Sequence, residues 1–130
     1  MSTKNIVTGL MLAVSIGCST SVYAGCNAQQ VSGTWEAAFS DGNSCRLKVK
    51  PNGTVDINVS VCYDPDRGVT DIDSGTIKPK GDCSAEGEII ISGTTIELPV
   101  QFSHDRSLAA GRFRFTADGS KGSVVMVRVH

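Results

Sequence analysis

The stretch SCRLKVKPNGTVDINVSV, residues 44–61, decides the fold. Cys45, Leu47 and Val49 alternate with Arg46, Lys48 and Lys50. After Pro51-Asn52-Gly53, Val55, Ile57, Val59 and Val61 alternate with Asp56, Asn58 and Ser60. A period of two belongs to a strand with one wet face and one buried face, and not to a helix. The loop length follows from asking which register keeps the apolar sides together. A two-residue Asn52-Gly53 loop sets Val49 opposite Asp56 and every apolar residue opposite a polar one. A three-residue loop pairs Val49 with Val55, Leu47 with Ile57 and Cys45 with Val59. Pro51 suits the first turn position, and Gly53 supplies the left-handed residue of a G1 bulge. The expected hairpin therefore has a three-residue loop, with Lys48 opposite Asp56 on the wet face.

The same alternation extends in both directions. A hairpin is expected from Glu88 to Phe102. Its type II′ turn would centre on Gly93-Thr94 and pair Ile91 with Ile96 and Ile89 with Leu98. Pro99 has no ladder donor, which predicts a bulge or an edge there. Further strands are expected at Thr34–Phe39, near Thr76–Lys78, at Leu108–Phe115 and at Ser123–Val129, the last two joined by Asp118-Gly119-Ser120-Lys121-Gly122. Turn residues recur at roughly 8–12-residue intervals, the spacing of a sandwich or barrel. The fold class predicted is all-β: a small antiparallel up-and-down barrel of seven or eight strands, with Phe39, Ile57 and Phe113 pointing inward.

Toward the N-terminus the pattern changes. Lys4, the apolar run Ile6 to Ile16 and the small residues of Val22-Tyr23-Ala24 read as a signal peptide over 1–24, cleaved after Ala24. That run is too short to span a bilayer, which takes about 20 residues. Residues 25–130 are then a single domain, periplasmic or secreted and bacterial in the style of the signal. Cleavage leaves Cys26, Cys45, Cys62 and Cys83, an even set suited to two disulfides in an oxidising compartment. Tyr23-Ala24-Gly25-Cys26 also resembles a bacterial lipobox, which would anchor the chain by lipid at Cys26. Lipidation there would strand one thiol. Of 130 residues, 12 are basic and 13 acidic, so no positive excess exists to neutralise phosphates, and nucleic acid is not expected as a partner.

Two resemblances attach to named residues. Ser32-Gly33-Thr34-Trp35 at the start of the first strand resembles the Gly-x-Trp opening of calycin barrels. In that group a Trp closes one end and an Arg from the last strand packs over its ring. The resemblance assigns barrel closure to Trp35 and Arg128. Residues 32–62 further resemble the bacterial inhibitors of serralysin-type zinc proteases: Ser32-Gly33-Thr34-Trp35, then Cys45 with Leu47 and Val49, then Cys62. That similarity implies an eight-stranded barrel, a Cys45–Cys62 bridge that leaves Cys26 to Cys83, and an N-terminal tail that enters a protease cleft. The family carries one disulfide, whereas this chain has cysteines for two.

Candidate chemistry is sparse. Ser103-His104-Asp105 holds triad residue types, but consecutive residues cannot take triad geometry. The cysteine spacings do not suit a zinc knuckle. Asp64-Pro65-Asp66-Arg67-Gly68 and Asp71-Ile72-Asp73-Ser74-Gly75 each give Asp-x-Asp-x-Gly, a pattern that can gather carboxylates on Ca²⁺, yet the Gly comes one place early for an EF-hand loop and no Glu closes it. Glu36 and Glu97, each between core residues, are expected to face water and not to form an acid–base pair. Asn52-Gly53-Thr54 and Asn58-Val59-Ser60 fit the glycosylation sequon, which a bacterial export signal makes irrelevant. No cofactor or metal is predicted.

The functional expectation is a non-enzymatic exported binding protein, in its most concrete form a protease inhibitor acting through its N-terminal tail and loops. Its partner would be an exported or extracellular protein, and the chain itself a monomer. The binding residues would lie in the stretch Tyr63 to Ser74, read as the longest irregular loop: Tyr63, Asp64, Asp66, Arg67, Asp71 and Asp73. Gly25 to Gln30 would supply the tail. A small-ligand-binding calycin-like barrel is the alternative.

Overall fold

The computed structural model describes residues 26–129, so the predicted signal peptide and cleavage site lie outside the described residues. Within them the chain is all-β. Nine strands follow one another: β1 (Gly33–Phe39), β2 (Ser44–Val49), β3 (Val61–Asp64), β4 (Gly68–Asp71), β5 (Ser74–Pro79), β6 (Ser84–Ile91), β7 (Thr94–Phe102), β8 (Leu108–Phe115) and β9 (Lys121–Val129). They form one antiparallel sheet in the order β4-β3-β2-β1-β9-β8-β7-β6-β5, curled into a half-barrel. Residues 53–55 tie the edge strand β5 back to β2, where Val55 bridges Val49. There the Val55 N–H donates to the Gly75 carbonyl (2.9 Å) and the Ile77 N–H to the Gly53 carbonyl (2.7 Å).

Alternation decides which side is dry. Along β1, Trp35, Ala37 and Phe39 are buried while Glu36 and Ala38 are exposed; along β2, Cys45, Leu47 and Val49 are buried while Ser44, Arg46 and Lys48 are exposed. Leu47, Ile89 and Leu98 are completely buried. The aromatic rings meet edge-on: Trp35 with Phe102 at 5.4 Å and Phe39 with Phe113 at 5.2 Å between centroids, the arrangement the ring quadrupole favours.

Several expectations are corrected. The strand count is nine and not seven or eight, because the stretch from Tyr63 to Ser74 is not irregular. It completes a hairpin, β3–β4, in which Val61 faces Asp71 and Tyr63 faces Val69. The hairpin of residues 44–61 starts as predicted, with Val49 opposite Val55 and the Asp56 N–H on the Lys48 carbonyl at 2.8 Å. It then departs, since neither the Leu47–Ile57 nor the Cys45–Val59 pair forms. The Asp56 side chain accepts from the Asn58 N–H (3.1 Å), and the Val59 N–H bonds the Asp56 carbonyl (3.3 Å), so the chain turns again. Buried Ser60 takes a strand's place: its Oγ accepts the Lys48 N–H at 2.9 Å. When pairing resumes, Cys45 faces Cys62, three residues further on than Val59. An odd shift exchanges faces, so Ile57 is 46 % exposed and not in the core.

The second hairpin turns one residue earlier than predicted, which shifts its pairing register by two. Ile89 faces Ile96 and Ile91 faces Thr94. Ser92 and Gly93 both have positive φ (52° and 76°), which is the type I′ geometry and not type II′. An even shift keeps every side chain on its predicted face. Pro99 lies in an interior strand and not at an edge. Pairing of β7 with β8 runs through Glu97–Arg114, omits residues 98 and 99, and resumes at Val100–Gly111 in the same register. The missing donor breaks the ladder without a bulge.

Candidate functional site

The two ends of the curled sheet differ. At one end the N-terminal segment folds underneath. Asn27 and Gln30 form a reciprocal cap: the Asn27 side chain accepts the Gln30 N–H (2.9 Å), and the Gln30 side chain accepts the Asn27 N–H (3.3 Å). This turn delivers Val31, fully buried, beneath the sheet. The Trp35 indole N–H donates to the Val31 carbonyl (2.9 Å) and Arg128 Nη2 to the Gln30 carbonyl (2.7 Å). The Arg128 guanidinium lies 5.0 Å from the centre of the Trp35 ring, within cation–π range. Burial, with nearby Arg106, pulls the Arg128 pKa below its ordinary value. A Cys26–Cys83 disulfide pins the segment. Residues 26–31 therefore form a plug pinned by a disulfide and not an extended arm.

The other end is open. There a cavity of about 300 Å³ is floored by Phe39, Ile96 and the Cys45–Cys62 disulfide, with Ile91 and Phe115 on its walls. Cys45 and Cys62 are directly opposed residues of β2 and β3. The rim is polar and comes from four separate turns, including Asn43, Arg67, Ser92 and Asp118. The tip of the β3–β4 hairpin stands beside the β1–β2 turn, where Pro65 lies close to Gly42.

The candidate binding residues divide. Tyr63, Asp64 and Arg67 border the cavity, and the Tyr63 side chain is half exposed. Asp64 also accepts the Asp66 N–H (2.7 Å), so it shapes the hairpin tip. Asp66 is exposed at that tip, and Asp71 is exposed on the outer side opposite Val61. Asp73 faces a different element, its Oδ2 accepting the Gly93 N–H (3.2 Å) and steadying the Ser92-Gly93 turn. The two Asp-x-Asp pairs do not converge. Among the described residues no group of three His, Cys, Asp or Glu side chains is placed to hold a metal ion. Phe39, Asn43, Ile91, Ile96, Phe115 and Asp118 were not anticipated at the site. An apolar residue ends each of β1, β6 and β8, but β2 and β7 end the same way at the plugged end, in Val49 and Phe102, so no sequence signal marked these residues.

The remaining candidates are structural. The Asp105 carboxylate accepts from Ser103 Oγ (2.8 Å), Ser107 Oγ (2.7 Å) and the Ser107 N–H (3.1 Å). These bonds hold its pKa down at about 2, Ser107 contributing most, so the carboxylate builds the β7–β8 turn. Glu36 pairs with Arg46 and Glu97 with Arg114, both on the outer side. Two disulfides belong with an oxidising compartment. No helix among the described residues is long and apolar enough to cross a membrane. No protein-family model matches the chain, and neither does any curated protein.

Proposed function

We propose that the chain is a non-enzymatic exported binding protein that receives an apolar side chain of a protein partner at the open end of a calycin-like barrel. The observation that carries this reading is the asymmetry of the two ends: one plugged and cross-linked, the other holding an apolar-floored cavity rimmed by four turns. At about 300 Å³ the cavity sits at the bottom of the range for ligand pockets, a size suited to one large side chain with the rim turns contacting the surrounding surface. A disulfide at its floor and one under its far end keep the mouth rigid, which lowers the ordering cost of binding. Inhibition of a secreted zinc protease remains the most concrete version. It would have to work through the rim turns, since the N-terminal segment is tethered at Cys26.

The same cavity favours a second reading, a small apolar ligand. The two are separated by one comparison. Immobilised protein and a Thr70→Arg variant, which places a guanidinium at the mouth, are offered the exported proteins of the source cell and, separately, the apolar dye anilinonaphthalene sulfonate. Capture of a protein partner by the native chain and not by the variant supports the first reading. Dye binding lost in the variant, with no protein captured, supports the second. Equal behaviour of the two chains in both assays removes the open end as the site. Titration against secreted zinc proteases without loss of their activity removes the inhibitor version alone.

A further inference from the structure

The outer side of four adjacent strands carries two exposed apolar strips with a polar band between them. Val61 and Tyr63 on β3 are 39 % and 50 % exposed, and Val125 and Val127 on β9 are 51 % and 44 % exposed. Between them run β2 and β1, whose outward residues in these rows are the small Ser44 and Ala38 and the Arg46–Glu36 ion pair, with Lys48 and Thr34 in the next row. The result is a shallow groove with an apolar ridge on each side. Strand pairing aligns these residues in two rows: Tyr63, Ser44, Ala38, Val125, and Val61, Arg46, Glu36, Val127.

Both rows are self-complementary under a two-fold axis that runs along the strands between β2 and β1. That operation sets β3 of one copy over β9 of the other, so Tyr63 meets Val125 and Val61 meets Val127. It also sets Arg46 over the second copy's Glu36, and Glu36 over its Arg46, making a closed square of alternating charge. No shift by one strand does this: centring the axis on β2 stacks Arg46 on itself, and centring it on β1 stacks Glu36 on itself. We propose that this face is the interface of a homodimer, two sheets packed outer side to outer side, in place of the monomer expected from sequence. Four strands about 4.8 Å apart and two outward rows about 7 Å apart give a patch of roughly 270 Å² per copy, and a total below about 1,000 Å² belongs to weak, reversible association. Because the axis runs along the strands, both open ends face the same way, and the dimer presents two cavities side by side.

The test uses the processed full chain in sedimentation equilibrium at rising concentration. The native protein dimerises reversibly. Arg46→Glu and Glu36→Arg each weaken association at least about tenfold, since like charges then face each other across the axis. An equimolar mixture of the two variants regains at least native affinity, because one copy then carries two carboxylates and the other two guanidinium groups at the facing positions. The Arg46→Glu/Glu36→Arg double variant, which keeps the ion pair within each copy, dimerises like the native chain and shows that folding is intact. A native chain that stays monomeric up to about 1 mM, single variants that associate as the native chain does, or a mixture that does not recover would each overturn the proposal.

Discussion

Replacing Arg128 by Met tests how the closed end is held. Methionine keeps most of the apolar stem over Trp35 and removes the guanidinium. Three contributions then change. The charged hydrogen bond from Nη2 to the Gln30 carbonyl at 2.7 Å is of a kind worth about 1.5–3 kcal/mol. The stacking on Trp35 at 5.0 Å contributes about 0.5–2 kcal/mol. Against these, the Arg128 Nε is buried without a hydrogen-bond partner, and relieving such a group returns about 1–3 kcal/mol. Arg128 is only partly buried, so solvent screening holds all three to their lower ends. The net loss is about 1 kcal/mol, a fall in Tm of roughly 4–8 °C for a domain of this size. Trp35 is the only tryptophan, so its fluorescence reports unfolding and this contact together in a urea titration. The expected outcome is a lower midpoint at unchanged slope, with altered native-state Trp emission. A variant as stable as the native chain with identical emission would show that Arg128 does not hold the plug, and the reasoning above would fail.

Removing the bridges separately ranks them. In the chain-entropy account the Cys26–Cys83 link, which closes a 57-residue separation, contributes about 4 kcal/mol, and Cys45–Cys62, across 17 residues, about 3 kcal/mol. Chemical denaturation of the two paired Cys→Ser variants checks the order. Gly111→Ala is expected to destabilise by at least about 3 kcal/mol, because its Cβ would lie 2.0 Å from the Pro99 carbonyl oxygen. Thermal unfolding within 1 °C of the native value would refute the close approach. For Asp105 the folded pKa is depressed to about 2. Its stabilising effect is therefore complete above the unfolded value near 3.9 and is lost as pH falls through about 2. NMR titration of the Asp105 carboxyl, alongside the Ser107 amide, measures this; a midpoint near the unfolded value would contradict the turn geometry.

Much of the fold was legible because strands write their two faces in alternate residues. Trp35, Leu47, Leu98 and Phe113 were all placed on the dry side by that pattern, and the structure has them there. Where legibility ended, local bonds outweighed the pattern. Residues 55–61 alternate as well as any strand in the chain. Yet an Asx turn at Asp56 and the Ser60 Oγ standing in for a ladder partner carried Ile57 and Val59 out to solvent. Ser92 at positive φ was equally unreadable: the turn it shares with Gly93 is held by the Asp73 carboxylate, which accepts the Gly93 N–H from twenty residues away.

The sequence by itself determined an all-β chain, two faces, and four cysteines after residue 25. These depend on neighbours along one strand, where a period of two and a turn residue suffice. Only the tertiary structure decided that nine strands curl so that one end is plugged and the other holds a cavity. The lining of that cavity comes from four separate segments, and no periodicity along a chain records which distant strand ends will meet.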